Sequence, residues 1–300
     1  MRAEVDAVSG EPEAGPSVTL DPFRRLVAED LLSFALLHHA EPSRERLEAL
    51  RWAVDPLSLT LSPMNGGEGN AAEEPGGRPS VSPSPQAGEG LGERVELSLG
   101  LELHSPVGQE ALNAMAAALA DLPVELNQAV LDQFAADYAD IYLTHAYGAS
   151  PHESVWLDED HLMRQEPMFQ VRAWYARHGL TAGDWRHCPE DHLALELQFL
   201  AHLVAPERGD TLPEAARFMD EHLLRWLPLF ARRVAERCRT RFFAALALLT
   251  DAYCEELREL LALILAEPRP APEEIEQRMK PARGPKLAPS SFVPGQGPTW

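Results

Sequence analysis

Apolar residues recur at three- and four-residue steps over most of this chain, the spacing that lines them along one face of an α-helix. Phe23, Leu26, Val27, Leu31, Phe34 and Leu37 form the first stripe. Asp21-Pro22 ahead of it reads as N-cap and first helical residue. A second helix, about 43–54, presents Leu47, Leu50 and Trp52. The pattern resumes at Gly108 with Leu112, Met115 and Leu119, and Pro123 ends it. Leu126, Val130, Phe134 and Tyr138 then step by four along a single face, and 148–153 reads as a loop. A helix over about 162–178 carries Met168, Val171, Trp174 and Tyr175, with Gly179 as its stop. Pro189 starts another, showing Leu193, Leu197, Leu200 and Leu203. Segments over about 212–227, 229–250 and 251–266 complete the pattern, with Pro228 as the turn between the first two. No run of β-branched residues alternates at period two. The fold class is all-α.

The pattern fails in three places. Between Ser62 and Gly92 there are eight Gly and five Pro in 31 residues, and no aromatic occurs from Ala53 through Gln133. Such a stretch cannot bury enough apolar area to offset its ordering entropy, so about 56–104 is expected to be a disordered insertion. A surface insertion of this kind is tolerated because loop-closure entropy grows only logarithmically with length. Residues 1–20 and 267–300, rich in Pro, Gly and Ser, are expected to be disordered tails.

Charge narrows the function classes. The 300 residues carry 26 Lys+Arg and 47 Asp+Glu, a net charge of −21. A surface that acidic repels phosphate backbones and anionic lipid heads and attracts a cationic peptide, so nucleic acid and stable membrane association are disfavoured. Three cysteines without a CxxC pair suit a reducing compartment. The first residues show no apolar signal region, and the longest apolar run, Phe242 to Leu249, is far short of a membrane span. A cytoplasmic location is expected.

The sharpest candidate chemistry is Cys188-Pro189-Glu190-Asp191-His192, running into Glu196 and Phe199. Proline with carboxylates is how a helix is started, which accounts for Glu190. Asp191 beside His192 adds a carboxylate–imidazole pair that can hold a tautomer or accept a guanidinium. His187, Cys188, His192 and Glu196 have no HExxH and no second Cys, so no metal and no cofactor are expected. There is no GxSxG, no phosphate loop and no catalytic residue to name. A second constellation joins Asp137, Tyr138, Asp140, Ile141 and Tyr142 to Pro151-His-Glu-Ser154-Val-Trp156. Tyr138, Ile141 and Tyr142 share a helical face. That face reads as core for at least one of them, while Pro151 and Trp156 offer aromatic surface of the kind that lines peptide grooves.

Taken in order, these motifs resemble the TorD/DmsD/NarJ family of redox-enzyme maturation chaperones. Pro189-Glu190-Asp191-His192-Leu193 is similar to the family's E-P-x-D-H signature, with Cys188 standing where an acidic residue is usual. Tyr138 with Ile141-Tyr142 resembles its aromatic-x-x-Leu-Phe helix, and Pro151 to Trp156 its P-x-x-S-V-aromatic loop. Arg172-Ala-Trp-Tyr175 and the segments His222–Phe230 and Phe242–Thr250 resemble the linker and closing helices. The likeness covers about 21–55 weakly and 108–265 well, and the insertion is foreign to it.

The resemblance implies a TorD-like helical bundle, with an N-terminal part (21–183) and a C-terminal part (184–266) meeting at a hinge near 184–191. It implies a non-enzymatic cytoplasmic chaperone. The partner would be an apo-molybdopterin oxidoreductase catalytic subunit or its twin-arginine signal peptide, held until the cofactor is inserted. Monomer and homodimer both stay open. In that reading Asp191, with Asp137 or Asp140, takes a guanidinium. Tyr138, Ile141, Tyr142 and Trp156 receive the apolar part of the leader, with Pro151, Ser154, Pro189 and His192 completing the site. Two rivals stay beside it: a helical adaptor for an unrelated partner, and a metal-dependent helical enzyme using Asp191, His192 and Glu196. Replacing Asp191 and His192 by Asn and Gln is expected to weaken leader binding without unfolding the chain; unchanged affinity would remove the pocket assignment.

Overall fold

The computed structural model describes residues 20–52, 99–183 and 188–280. Among them the chain is helical with no named strand, as the apolar periodicity requires. In chain order the helices are α1 (Asp21–His39), α2 (Arg44–Trp52), α3 (Pro106–Ala120), α4 (Gln128–Tyr138), α5 (Glu153–Leu157), α6 (Glu166–Arg177), α7 (Leu193–Val204), α8 (Leu212–Phe218), α9 (Leu224–Arg237), α10 (Arg241–Leu265) and α11 (Pro272–Met279). Wide π-helical turns extend α4 over Ala139–Leu143 and join α8 to α9 over Met219–Leu223. None of these helices is long and apolar enough to cross a membrane.

One apolar core runs through the bundle. Val27, Leu31 and Phe34 of α1 are buried, as the first stripe predicts, and α1 packs along α7. The α10 helix packs against α3 and α9, and Phe34 meets the edge of Tyr253 at 5.1 Å. Helices from both sides of the expected hinge therefore share the core. Arg24 of α1 binds the carbonyl end of α7, donating to Val204 O at 2.8 Å and Ala205 O at 3.0 Å, and reaches Gly209 O in the following loop at 2.8 Å. A cation is favoured there because the last carbonyls of a helix lack partners.

Several boundaries differ from expectation, each for a local reason. Leu20 precedes α1, and Asp21 sits inside its first turn. Pro228 does not break the chain: α9 runs through it, in the second turn after the π turn. The break falls instead at 238–240. There the buried Asp137 carboxylate accepts from the Arg239 and Thr240 amides, which fixes the turn just ahead of α10. From that point α10 continues unbroken through Thr250.

Of the expected insertion, 56–98 lies outside the described residues, whereas Leu101 and Leu103 are buried. Asp30 fixes this strip by accepting from Gly100 N (2.7 Å), Leu101 N (3.2 Å) and Tyr253 Oη (2.8 Å). A Cβ on Gly100 would fall 2.5 Å from Leu26 Cβ, so the close approach to α1 requires glycine. Of the expected tails, 1–19 and 281–300 lie outside the described residues. Pro272–Met279 is a helix, started by Pro272 with Glu273 and Glu274 in its first turn and anchored by buried Ile275. Within the hinge, 184–187 lies outside the described residues and 188–191 is packed.

A buried ion pair ties the π turn between α8 and α9 to α10. Arg258 donates Nε and Nη2 to the two oxygens of Asp220 at 2.9 and 2.8 Å, with Arg269 3.3 Å away. Arg258→Met leaves a buried carboxylate with one distant partner and is expected to cost about 3–5 kcal/mol in urea unfolding. The double change Asp220→Leu/Arg258→Met is expected to recover most of that; a double variant as unstable as the single one would contradict the pairing.

Candidate functional site

Two segments remote in sequence are joined into a clamp. The chain before α5 and the chain before α7 run antiparallel for one bridge, His152 opposite His192. Glu153 N donates to Asp191 O at 3.0 Å, and Leu193 N donates to Pro151 O at 2.8 Å. Inside this bridge the Asp191 carboxylate accepts from Ser154 N at 2.9 Å and from Ser154 Oγ. That places an anion at the start of α5, where unpaired amides favour it. Gln165 N, just ahead of α6, donates to Ser154 Oγ at 3.3 Å, so the tie extends to a third helix.

Asp191 is fully buried, and burial pushes its carboxyl up to about 6 against the opposing hydrogen bonds from Ser154. Two more carboxyls stand beneath the clamp. Glu153 accepts from His222 Nδ1 at 3.0 Å, both groups being fully buried. Glu196 accepts from Trp226 Nε1 at 3.2 Å. Burial raises the Glu196 carboxyl well above the usual range, and the neighbouring Glu153 and Asp191 raise it further.

Imidazoles line the other side. His192 is the N-cap of α7, its Nδ1 accepting from Ala194 N at 3.1 Å, so that nitrogen carries no proton. Burial holds His192 well below its ordinary pKa, and His152 falls to about 3 for the same reason. Rings of His145, His152, His192 and His39 follow one another edge to face, with centroids 5.7, 5.1 and 6.2 Å apart. The apolar pattern starts this helix at Pro189; in the structure Pro189 to Asp191 lie ahead of α7, in the bridged segment.

The nine expected site residues fall into two groups. Pro151, Ser154, Pro189, Asp191 and His192 build the clamp, and half-buried Trp156 is tied to it by Nε1 donating to Ser150 O at 2.8 Å. Tyr138, Ile141 and Tyr142 are core. Tyr138 Oη donates to His39 O at 2.6 Å. Tyr142 Oη pairs with His38 Nδ1 at 2.6 Å, and His38 Nε2 pairs with Thr250 Oγ1 at 2.9 Å. Since Thr250 donates onward to Leu246 O, His38 carries its proton on Nε2. Asp137 takes no guanidinium: it accepts from the Arg239 and Thr240 amides just ahead of α10 and from Tyr147 Oη at 2.6 Å. Asp140 does face one, Arg239, at 3.3 Å. Among the described residues no group of three His, Cys, Asp or Glu is placed to hold a metal ion, and His187 lies outside them.

Sequence reasoning passes over Glu190 as a helix-starting residue. In the structure Arg172 of α6 lays its fork on Glu190, with Nε to Oε1 at 2.7 Å and Nη2 to Oε2 at 3.1 Å. Tyr175 Oη donates to Glu190 O at 2.9 Å. The partners are 15 and 18 residues upstream, beyond the reach of periodicity.

The residues that build this site lie within a span similar to known proteins. The family model described as nitrate reductase delta subunit matches residues 105–232. The chain is 34% identical over 131 residues to Chaperone protein TorD of Vibrio vulnificus (strain YJ016), covering 41% of this chain and 61% of that protein. It is 31% identical over 144 residues to Chaperone protein TorD of Vibrio cholerae serotype O1, covering 45% and 65%. The match to Chaperone protein TorD of Photobacterium profundum is 28% over 132 residues, covering 41% and 61%. The chain thus spans less than two thirds of the length of these curated relatives.

Asp191→Ala leaves the Ser154 amide and hydroxyl buried without an acceptor and is expected to cost about 2–3 kcal/mol, read by urea unfolding. Asp191→Asn keeps an acceptor and is expected to cost less. The folded value of about 6 lies above that of an unfolded aspartate, about 3.9. The folded protein therefore binds the extra proton between those values. Wild type is expected to gain on Asp191→Asn as pH falls from about 7 to about 4, by at most about 2–3 kcal/mol. A gain on raising the pH instead would show that the carboxylate is stabilised by the site.

Proposed function

We propose that this TorD-like chain is a maturation chaperone for a molybdopterin oxidoreductase: a binding protein that holds the apo catalytic subunit through its twin-arginine leader until the cofactor is inserted. The observation that carries the reading is the coincidence of the match with the clamp. The residues covered by the family model, 105–232, contain both bridged segments, the helices α5 to α7 that they position, and the His222 and Trp226 partners beneath them.

Several features support a binding rather than a catalytic role. Asp191 accepts from the Ser154 amide and hydroxyl, Glu153 from His222, and His192 from the Ala194 amide, while burial disfavours the charged forms of His152 and His192. Nothing in that arrangement is poised to attack or to shuttle a proton to solvent. The charge of −21 would draw a leader with two guanidiniums toward the protein, more weakly as salt rises. Work in the cytoplasm, before export, belongs to the same proposal.

Affinity purification of the tagged full chain from its native cells, followed by mass spectrometry, tests the reading. A molybdoenzyme catalytic subunit still carrying its leader is expected, with recovery falling as the wash salt is raised. Stoichiometric recovery of an unrelated partner in its place would move the function to a helical adaptor.

A further inference from the structure

Glu190 and Asp191 are neighbours in the chain and serve different surroundings. Asp191 turns to Ser154 inside the clamp, whereas Glu190 meets Arg172 at the mouth of a groove of about 630 Å³. Tyr175, Leu180, Thr181 and Ala182 line this groove and also a second one, of about 430 Å³. The second groove runs between α1 and α7, with Ala28 and Leu32 on one wall and Leu195, Gln198 and Phe199 on the other. The two share a wall and make one path: a carboxylate at one end, a mostly apolar slot at the other.

The ion pair at the mouth is lopsided. The Glu190 side chain is 7% exposed, while that of Arg172 is 44% exposed. A buried carboxylate needs a compensating cation, but the half-exposed guanidinium can leave for water at modest cost provided another takes its place. The fork-on-fork geometry already present is the one that selects a guanidinium over an ammonium. In the slot, exposed Leu32 stands over apolar side chains with no described segment covering it.

We infer that this path is the docking groove for a peptide with adjacent arginines followed by an apolar stretch, one guanidinium replacing that of Arg172 on Glu190 and the apolar residues lying between α1 and α7. The inference rests on the maturation reading and names the surface it uses. Arg172 is then an internal stand-in for the ligand. Glu190 supplies the acceptor from the position after Pro189, in a signature where Cys188 leaves the position before it uncharged.

The test is fluorescence anisotropy with the full chain and a labelled synthetic peptide of two adjacent arginines followed by alternating leucine and alanine. Glu190→Gln is expected to weaken binding about tenfold, and the same peptide with lysines in place of arginines to bind about as poorly. Leu32→Asp, at a surface position remote from the ion pair, is expected to weaken binding by a similar factor. Arg172→Ala is expected to tighten it several-fold, because the acceptor is vacated. Thermal melts followed by circular dichroism report folding of each variant; should Glu190→Gln fail to fold, Leu32→Asp and the lysine peptide carry the test. Wild-type affinity in both Glu190→Gln and Leu32→Asp, no binding of the arginine peptide by the wild type, or weakening by Arg172→Ala would overturn the inference. Recovery of a molybdoenzyme subunit from cells alongside any of those results would leave the maturation reading standing. Failure of that recovery would remove the reading itself.

Discussion

Buried carboxylates that accept backbone amides across long sequence distances are the interaction on which this bundle depends. Asp30 holds the amides of Gly100 and Leu101, Asp137 those of Arg239 and Thr240, and Asp191 that of Ser154, while half-buried Glu256 holds those of His104 and Ser105 in the same way. Helices begin with amides that lack partners, and loops between helices carry more of them. Here a side chain from elsewhere satisfies those groups, which fixes where each loop lies. Burial alone opposes the charge, as the raised carboxyls of Asp30 and Asp191 show, both at about 6. Several short hydrogen bonds to one carboxylate make the arrangement tolerable, and removing the acceptor strands every donor at once.

This device explains what is legible in the sequence and what is not. The stripes of α1, α3 and α4 can be read because burial follows the helical period, and the helices containing Leu31, Met115 and Phe134 lie where the spacing puts them. The clamp residues can be found because they stand in two short motifs, but their burial cannot. An Asp that caps a remote amide has the same local sequence as one that awaits a ligand. Asp137 shows the point: its sequence setting suits a guanidinium acceptor, and the residue instead holds the turn ahead of α10. Pro228 misleads as well, since a proline near the start of a helix has the same local sequence as one in a turn. Pro272 with Glu273 and Glu274 is a legible helix start, masked by the prolines around it.

The acidity of the chain takes on two meanings in this light. Part of it is internal, in Asp30, Asp137, Glu153, Asp191, Glu196 and Asp220. These acids set structure, and burial raises the carboxyls of Asp30, Asp191 and Glu196. Exposed acids such as Glu207, Glu214 and Glu276 contribute to the long-range field, which raises encounter rates with a cation without specifying where it lands. Landing requires a pre-shaped acceptor whose present partner can give way. Among the signature acids, buried Glu190 has such a partner in half-exposed Arg172, whereas the two donors to Asp191 come from Ser154.

The two acids are nonetheless mechanically joined. The α6 helix carries Arg172 and Tyr175, which hold the side chain and the carbonyl of Glu190, and the residue before it, Gln165, is tied through Ser154 to Asp191. A ligand that displaces Arg172 removes one of two ties between α6 and the signature segment and leaves the Tyr175 bond and the Asp191 clamp in place. Coupling between sites is reciprocal, so whatever loosens the clamp must also alter how strongly Arg172 competes for Glu190. Truncating Asp191 would then change peptide affinity without any contact between that residue and the peptide. A functional effect at Asp191 is therefore compatible with its burial, and the side chain that touches the ligand is to be sought one residue earlier.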